Sequence, residues 1–421
     1  MKAKLTFQAV PVNDSPAQNT LASGIWLQSH RKTGIDFAFT FAARRIMATC
    51  VAMNSSNLSP VDAQRVFGAP LRYIQGPGAV GQIGNIAQLA GAHALLVADR
   101  FVLELIGERV AESCRASGVS LNQFPFGGEI TFAEIERLTQ QLGSSQVDVV
   151  IAAGGGKGID TGKAIARHLD TAVITVPTIA SNDAPTSKIY VVYDENHRIV
   201  GVEHMKSNPL AVVVDTELIA RAPKKLLLAG IGDAISKKFE VAQCYKAGGR
   251  NIYGARGTMA ANALADLCYD ALREHAQGAL RAVEKQRPDA SLEALVEAAV
   301  LLSGLCFENG GLSVAHAMTR GLTAITETAN ELHGLQVAYG LLVQLQLENR
   351  PAAFVAELRQ FYAELGLPTC LRELGLKRTA SDQDIETIAA ATMTASYIGH
   401  FERKLTAMDV TEAVQLVEAA V

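Results

Sequence analysis

The chain has 421 residues, 49% of them hydrophobic and 19% charged, with a formal net charge of −4. That is apolar material enough for two cores, and the lack of a basic tract or an acidic tail excludes a nucleic-acid groove and an anionic-membrane surface. A small molecule is the expected partner, and six dispersed cysteines with no CxxC pair predict reduced thiols in a cytoplasmic setting.

Residues 1 to 66 carry no convincing period and contain Met47 and Met53, so a poorly ordered extension or an upstream start codon is expected there. The N-terminus lacks the pattern of a signal peptide, and FAFTFAARRIMATCVAM is broken by Arg44 and Arg45 after a run too short to cross a bilayer. Neither a targeting segment nor a membrane span is predicted. From residue 94 the β-prone runs ALLVAD, VDVVIAAGG, AVITVPT and LAVVVDT alternate with helical segments such as RFVLELIGERVAESCRASG, which predicts a parallel α/β sheet over 67–220. Past Pro223 the β-prone runs stop, and Ala- and Leu-rich helical patterns continue to Val421. The predicted architecture is an α/β domain followed by an all-helical domain over 221–421.

Three glycines, Gly154, Gly155 and Gly156, with Lys157 link the strand VDVVIAAG to a helix expected near Gly158. Such a turn lets backbone N–H groups and a helix N-terminus approach a phosphate. It is neither a Walker A loop, since Ala164 follows Gly162-Lys163, nor a GxGxxG turn. Asp99, closing ALLVAD, suits either a ribose hydroxyl or the cap of the next helix. VPTIASNDAPTSK places Thr178, Ser181, Asp183 and Ser187 at the carboxyl edge of the sheet, where open α/β sheets bind ligands; the same letters also read as a plain turn. Farther on, Asp233 in AGIGDAISKKFE, His316 and His333 supply the count of a catalytic zinc site with one open position. Each alone is a weak signal: a single His on an Ala-rich helix is more often a hydrogen-bonded core or surface residue, and an Asp near a helix start is usually a cap.

GGGKGIDTGKA, PTIASNDAPTS, AGIGDAISKKFE, ENGGLSVAHAMTRGLT and HGLQVAYG, in this order, resemble successive signatures of the glycerol dehydrogenases of the metal-dependent group III alcohol dehydrogenase superfamily. The resemblance runs from about residue 69 to the end. It implies a Rossmann-like domain and a helical metal-binding domain in a dehydroquinate-synthase-like fold, with NAD and substrate meeting between them. By position, the implied metal ligands are Asp233, His316 and His333. The implied NAD contacts are Asp99, Gly155, Gly156, Lys157, Gly158, Asp160, Thr178, Ser181, Ser187, Ile189 and Tyr193. Asp183 and His316 would meet the substrate. Lys237 stands where iron-dependent relatives usually carry a histidine, so Zn2+ is favoured over Fe2+.

The implied reaction is oxidation of glycerol or a similar vicinal diol to the hydroxyketone, zinc polarising the hydroxyl and hydride passing to nicotinamide C4. Relatives are often octameric, and a cytoplasmic homo-oligomer is expected. Thr319 and Arg320 replace a His-Asn pair common in the family, Leu335 and Gln336 replace Glu-Lys, and HFERKLT at 400–406 replaces an apolar segment. These departures leave a 2-hydroxy acid or a polyol phosphate open as substrate, because Arg320 or Arg403 can pair with either anion. A dehydroquinate-synthase-like lyase and a non-catalytic dinucleotide-binding protein are further readings. The IASNDAP segment counts against the first and the intact ligand trio against the second.

Overall fold

The structure, a computed structural model, describes residues 64–143, 145–195 and 199–420. All but the last three residues of the expected 1–66 extension lie outside the described residues, as does Cys50; the other five cysteines are buried and free. Six strands form one parallel sheet: β1 (Tyr73–Gly76), β2 (His93–Ala98), β3 (Ser120–Pro125), β4 (Val149–Gly154), β5 (Ala172–Pro177) and, beyond an antiparallel hairpin of β6 (Ile189–Tyr193) and β7 (Ile199–His204), β8 (Ala211–Asp215). Their order is β1-β8-β5-β4-β2-β3. Every residue of β4 and β8 is buried, as expected of parallel strands covered on both faces.

Between the strands run α1 (Ile83–Ala87), α2 (Arg100–Ala116), α3 (Phe132–Leu142) and α4 (Gly156–Leu169). Ile106 and Val110 of α2 pack on Leu96 and Ile151 at one face of the sheet. Leu138 of α3 and Ile159 and Ile165 of α4 pack on Leu95 and Val150 at the other. The chain therefore leaves the neighbouring strands β2 and β4 toward opposite sides, and a crevice opens at their carboxyl ends. Asp99 and Gly154 stand on its two edges.

The remaining helices are α5 (Thr216–Arg221), α6 (Lys224–Ala234), α7 (Lys237–Lys246), α8 (Met259–Glu284), α9 (Ala290–Val296), α10 (Ser303–Gly310), α11 (Val314–Leu322), α12 (Thr326–Ala329), α13 (His333–Leu347), α14 (Ala352–Leu365), α15 (Asp382–Thr392) and α16 (Ala407–Ala419). A π-helical stretch, Glu297–Leu302, joins α9 to α10. The run Ala290–Gly310 is, among the described residues, the one helix long and apolar enough to cross a membrane. Its Leu292, Leu295, Val296 and Val300 belong to the helical core, which accounts for that composition.

At the centre of this core α13 meets its neighbours through glycine. A Cβ on Gly334 would stand 1.8 Å from the Ala229 carbonyl oxygen of α6, and one on Gly232 of α6 would stand 2.4 Å from the Gly334 oxygen. At Gly340 an added Cβ would stand 2.4 Å from the Ala315 oxygen of α11. Backbone thus touches backbone, which brings Asp233 near the end of α6 and His316 on α11 up to His333, the first residue of α13. Gly334→Ala should force these helices apart at a cost of about 1–3 kcal/mol, the usual range for overpacking, read from urea denaturation midpoints. Gly81→Ala, where an added Cβ meets nothing within 4 Å, should stay within about 0.5 kcal/mol of the parent.

Candidate active site

The helix contacts gather Asp233, His316 and His333 so that one ligand atom from each lies within 4.8 Å of the others. Asp233 is buried, His316 nearly so, and His333 reaches solvent. The imidazole rings of His316 and His333 are 5.4 Å apart between centroids. Asp233 Oδ1 and His316 Nε2 are 3.2 Å apart, close to the roughly 3.4 Å that separates two ligands on a tetrahedral zinc with bonds of about 2.0–2.2 Å. The donor set and its spacing therefore fit a divalent ion.

Glu240, one turn into α7, sets the tautomer of His316. Its Oε2 lies 2.6 Å from His316 Nδ1, and its Oε1 accepts the backbone N–H groups of Ser313 and His316, each at 2.9 Å. Ser236 Oγ donates to the same carboxylate at 2.9 Å. Since a carboxylate can only accept, Nδ1 carries the proton and the Nε2 lone pair faces Asp233. Two acceptors so placed need a cation between or beside them. Lys237, with no exposed surface, supplies one: its Nζ is 2.6 Å from Asp233 Oδ1, 3.2 Å from His316 Nε2 and 3.2 Å from Asp183 Oδ2.

Each pKa shift follows from burial set against the neighbouring charges; for His316 the rise favours, in the metal-free cluster, a second proton on Nε2 that a bound ion would replace. Burial disfavours the Asp233 carboxylate, yet Lys237 and His316 outweigh it and hold its pKa far below the usual carboxylate range. Burial likewise opposes the Lys237 ammonium, and Asp183, Asp233 and Glu240 overcome it, raising its pKa. For His316 burial again opposes charge, but Glu240 and Asp233 raise the pKa above its ordinary value. Glu240 is held down to about 2, chiefly by His316 acting against its own burial. His333 departs from the pattern: one edge meets solvent, but the enclosing protein and then the positive charge nearby push it down to about 4, leaving a neutral imidazole able to bind metal. Asp183 is raised by burial and by Asp233 against the pull of Lys237 and a 2.6 Å hydrogen bond from Ser303 Oγ.

On the sheet side, α4 begins at Gly156 with Gly155 as its N-cap and no side chain on its first N–H groups. Gly154 has φ +135°, a value that L side chains rarely adopt. An added Cβ would meet Ile179 Cδ1 at Gly155 and Asn182 Nδ2 at Gly156, both at 2.8 Å. The turn and the 178–188 loop thus face each other closely, with glycine required by the backbone at Gly154 and with N–H groups suited to a pyrophosphate. Thr178 N donates to Gly154 O at 3.1 Å and ties the loop to the turn. Lys157 is exposed at its mouth, paired with Glu129 at 2.6 Å and 5.6 Å from the Tyr193 ring centroid. Ser181 is half-buried on the same loop.

Other expected cofactor residues point elsewhere. Asp99 caps α2, its Oδ1 accepting Val102 N at 2.9 Å, so the capping alternative is realised and Oδ2 is outside that bond. Asp160 lies behind the turn, where Oδ2 accepts Val191 N at 3.0 Å and Oδ1, which accepts no hydrogen bond, faces Lys163 Nζ at 3.9 Å. Gly158 packs an added Cβ 2.7 Å from the Ala153 oxygen, a helix-on-strand contact. Ser187 is fully buried and meets Lys163 Nζ at 3.4 Å; the same ammonium donates to the carbonyls of Ala184 and Ile189 at 2.5 and 2.8 Å. Arg320 and Arg403 are exposed, and Arg403 pairs with Asp409 at 2.8 Å.

Residues 70–216 match the family described as iron-containing alcohol dehydrogenase. The glycolaldehyde reductase of Halobacterium salinarum is 41% identical over 83% of this chain and 94% of that protein. The glycerol dehydrogenase of Thermotoga maritima is 43% identical over 76% of this chain and 87% of that protein. The crystal structure of a probable glycerol dehydrogenase from Sinorhizobium meliloti superposes with a TM-score of 0.80 at 35% identity, covering 85% of this chain and 99% of that one. The chain belongs to the iron-containing alcohol dehydrogenase family, in its glycerol-dehydrogenase-like branch. It has the dehydroquinate-synthase-like fold and is a metal-dependent alcohol dehydrogenase in kind.

Sequence reasoning gave no role to Glu240 or Ser303 and noted Lys237 only as a missing histidine. Asp233, Lys237 and Glu240 recur at i, i+4 and i+7, the spacing of one helix face, and three charged residues on one face of an otherwise apolar segment were the available signal.

Asp160 generates a pH prediction. Burial raises its pKa to about 6 against the pull of Lys163, so the fold prefers the protonated acid. Its contribution to stability is complete below the unfolded value of about 4 and is lost as pH rises through about 6. Urea midpoints at pH 4 and pH 7 should show Asp160→Asn losing less stability across this window than the parent.

Proposed function

We propose that the protein oxidises a vicinal diol, glycerol first among them, to the hydroxyketone, using NAD and a zinc ion held by Asp233, His316 and His333. The observation that carries this reading is the place of Asp183. Ser303 and Lys237 both engage its Oδ2, so the carboxylate sits beside the ligand cluster with Oδ1 outside both contacts. A substrate hydroxyl near the ligands can therefore place its neighbouring hydroxyl as a donor to Oδ1, which a simple alcohol cannot do.

A zinc ion bound there supplies Lewis acidity that eases proton loss from the reacting hydroxyl. Glu240 keeps the Nδ1 proton on His316, so Nε2 stays a ligand. Ser303 orients Asp183, and the glycine cradle holds a dinucleotide pyrophosphate so that the nicotinamide is presented across the crevice. Zinc rather than iron is favoured by the three-residue ligand set with Lys237 in the fourth place. The buried thiols are consistent with a cytoplasmic enzyme, and a homo-oligomer belongs to the same proposal.

A second reading rests on the Lys237 ammonium beside Asp183: it can donate to a carbonyl or carboxylate oxygen, favouring reduction of a hydroxyaldehyde or oxidation of a 2-hydroxy acid on the same scaffold. Absorbance of NADH, followed against diols, hydroxyaldehydes, hydroxy acids and polyol phosphates, separates the two. Glycerol turnover that disappears on chelation and returns with zinc is the expected result; no redox with any member of the panel would overturn both readings. His316→Ala and His333→Ala should each abolish turnover and bring bound zinc well below one per chain. Asp183→Asn should raise KM for glycerol at least ten-fold with little effect on a mono-alcohol.

A further inference from the structure

Lys237 has no part in the diol oxidation proposed above. Its side chain has no exposed surface, and its Nζ lies 2.6 Å from Asp233 Oδ1 and 3.2 Å from His316 Nε2, the two atoms whose spacing suits a metal ion. The third contact, 3.2 Å to Asp183 Oδ2, lies outside the ligand trio. An ammonium and a divalent cation cannot share one carboxylate oxygen and one imidazole lone pair at bonding distance: each needs the same electron pairs, and their charges repel. Around this one lysine stand three buried carboxylates, Asp183, Asp233 and Glu240. A divalent ion together with the lysine balances all three.

We propose that Lys237 is a tethered counter-cation of the metal pocket. It holds Asp233 and His316 in place while no metal is bound, yields Asp233 Oδ1 and His316 Nε2 to an incoming divalent ion, and keeps Asp183 as its remaining partner. Metal affinity in this chain is set lower than its ligands alone would give, and the fold does not depend on the ion. This rests on the metal assignment above and concerns what the chain's own lysine does toward it.

The test compares wild type with Lys237→Met, which keeps the length and loses the charge, and Lys237→Gln, which also keeps a donor. Zinc Kd is measured by competition with a fluorescent chelator at fixed pH, and Tm is measured on stripped and zinc-loaded protein. Both variants should bind zinc at least ten-fold more tightly than wild type. Stripping should lower their Tm by several degrees more than it lowers that of wild type, and zinc should restore it. A variant that folds only with zinc is the same result in stronger form. Equal Kd values and equal Tm losses would overturn the inference while leaving the metal assignment standing; uptake of zinc by neither wild type nor variant would overturn the assignment and the inference together. A third measurement does not depend on either variant folding. In a crystal structure of zinc-loaded wild type, Nζ should be beyond hydrogen-bonding distance of Asp233 Oδ1 and still within reach of Asp183, and an ammonium still bonded to Asp233 would refute the displacement.

Discussion

Asp233 carries a carboxylate into the middle of a helical core, and a charge so placed must be met where it lies or be driven off by protonation. The surrounding structure meets it. Helix α7 begins four residues later and brings Lys237 alongside; Glu240, a turn farther, holds neutral His316 in the tautomer whose lone pair faces the same oxygen. The glycine-to-glycine approach of α6 and α13 then sets His333 close enough to join them. Removing one partner of such a buried network leaves others uncompensated, so the ligand set, the helix crossings and the hydrogen bonds behind them stand or fall together.

The two halves of the protein are coupled through the 178–188 loop. Thr178 binds it to the glycine turn, Lys163 ties down Ala184 and Ser187 in it and the Ile189 carbonyl just beyond it, and Asp183 projects from it to Ser303 and Lys237. Gly230 allows α6 to approach this loop so closely that a Cβ there would stand 2.0 Å from the Ala180 oxygen. The loop facing the glycine turn and the carboxylate proposed to read the substrate are thus parts of one segment, which fixes the position of one against the other.

Much of this was legible beforehand. Four of the six sheet strands announce themselves as apolar runs because parallel strands are buried on both faces. β3, reading SLNQFP, does not, since it lies at the sheet edge and alternates poorly. The half-exposed β1 and the β6–β7 hairpin, whose second strand is largely exposed, escape for the same reason. At the site, Asp233, His316 and His333 were readable as ligand types, and the helical spacing of Lys237 and Glu240 from Asp233 was a local hint, but nothing local points to Ser303. Ser303 is one small polar residue in an apolar helix, and its meaning depends on a partner 120 positions away. Asp160 and Ser187 are residue types suited to a ligand whose burial, Asp160 against β6 and Ser187 beside Lys163, could not be read from the sequence.

The π-helical stretch at Glu297–Leu302 has a consequence for how the chain can change over time. A π turn inserts a residue into the helical count and rotates everything after it relative to what came before. Leu292 and Leu295 ahead of it face the core, whereas Ser303 and Glu308 beyond it face the 178–188 loop and its neighbours. Thr186 Oγ1 donates to the Val300 carbonyl at 2.6 Å within the stretch itself, locking the offset. One continuous rod therefore carries two phases, so that drift in the packing of its first half need not retune the groups its second half turns toward the 178–188 loop.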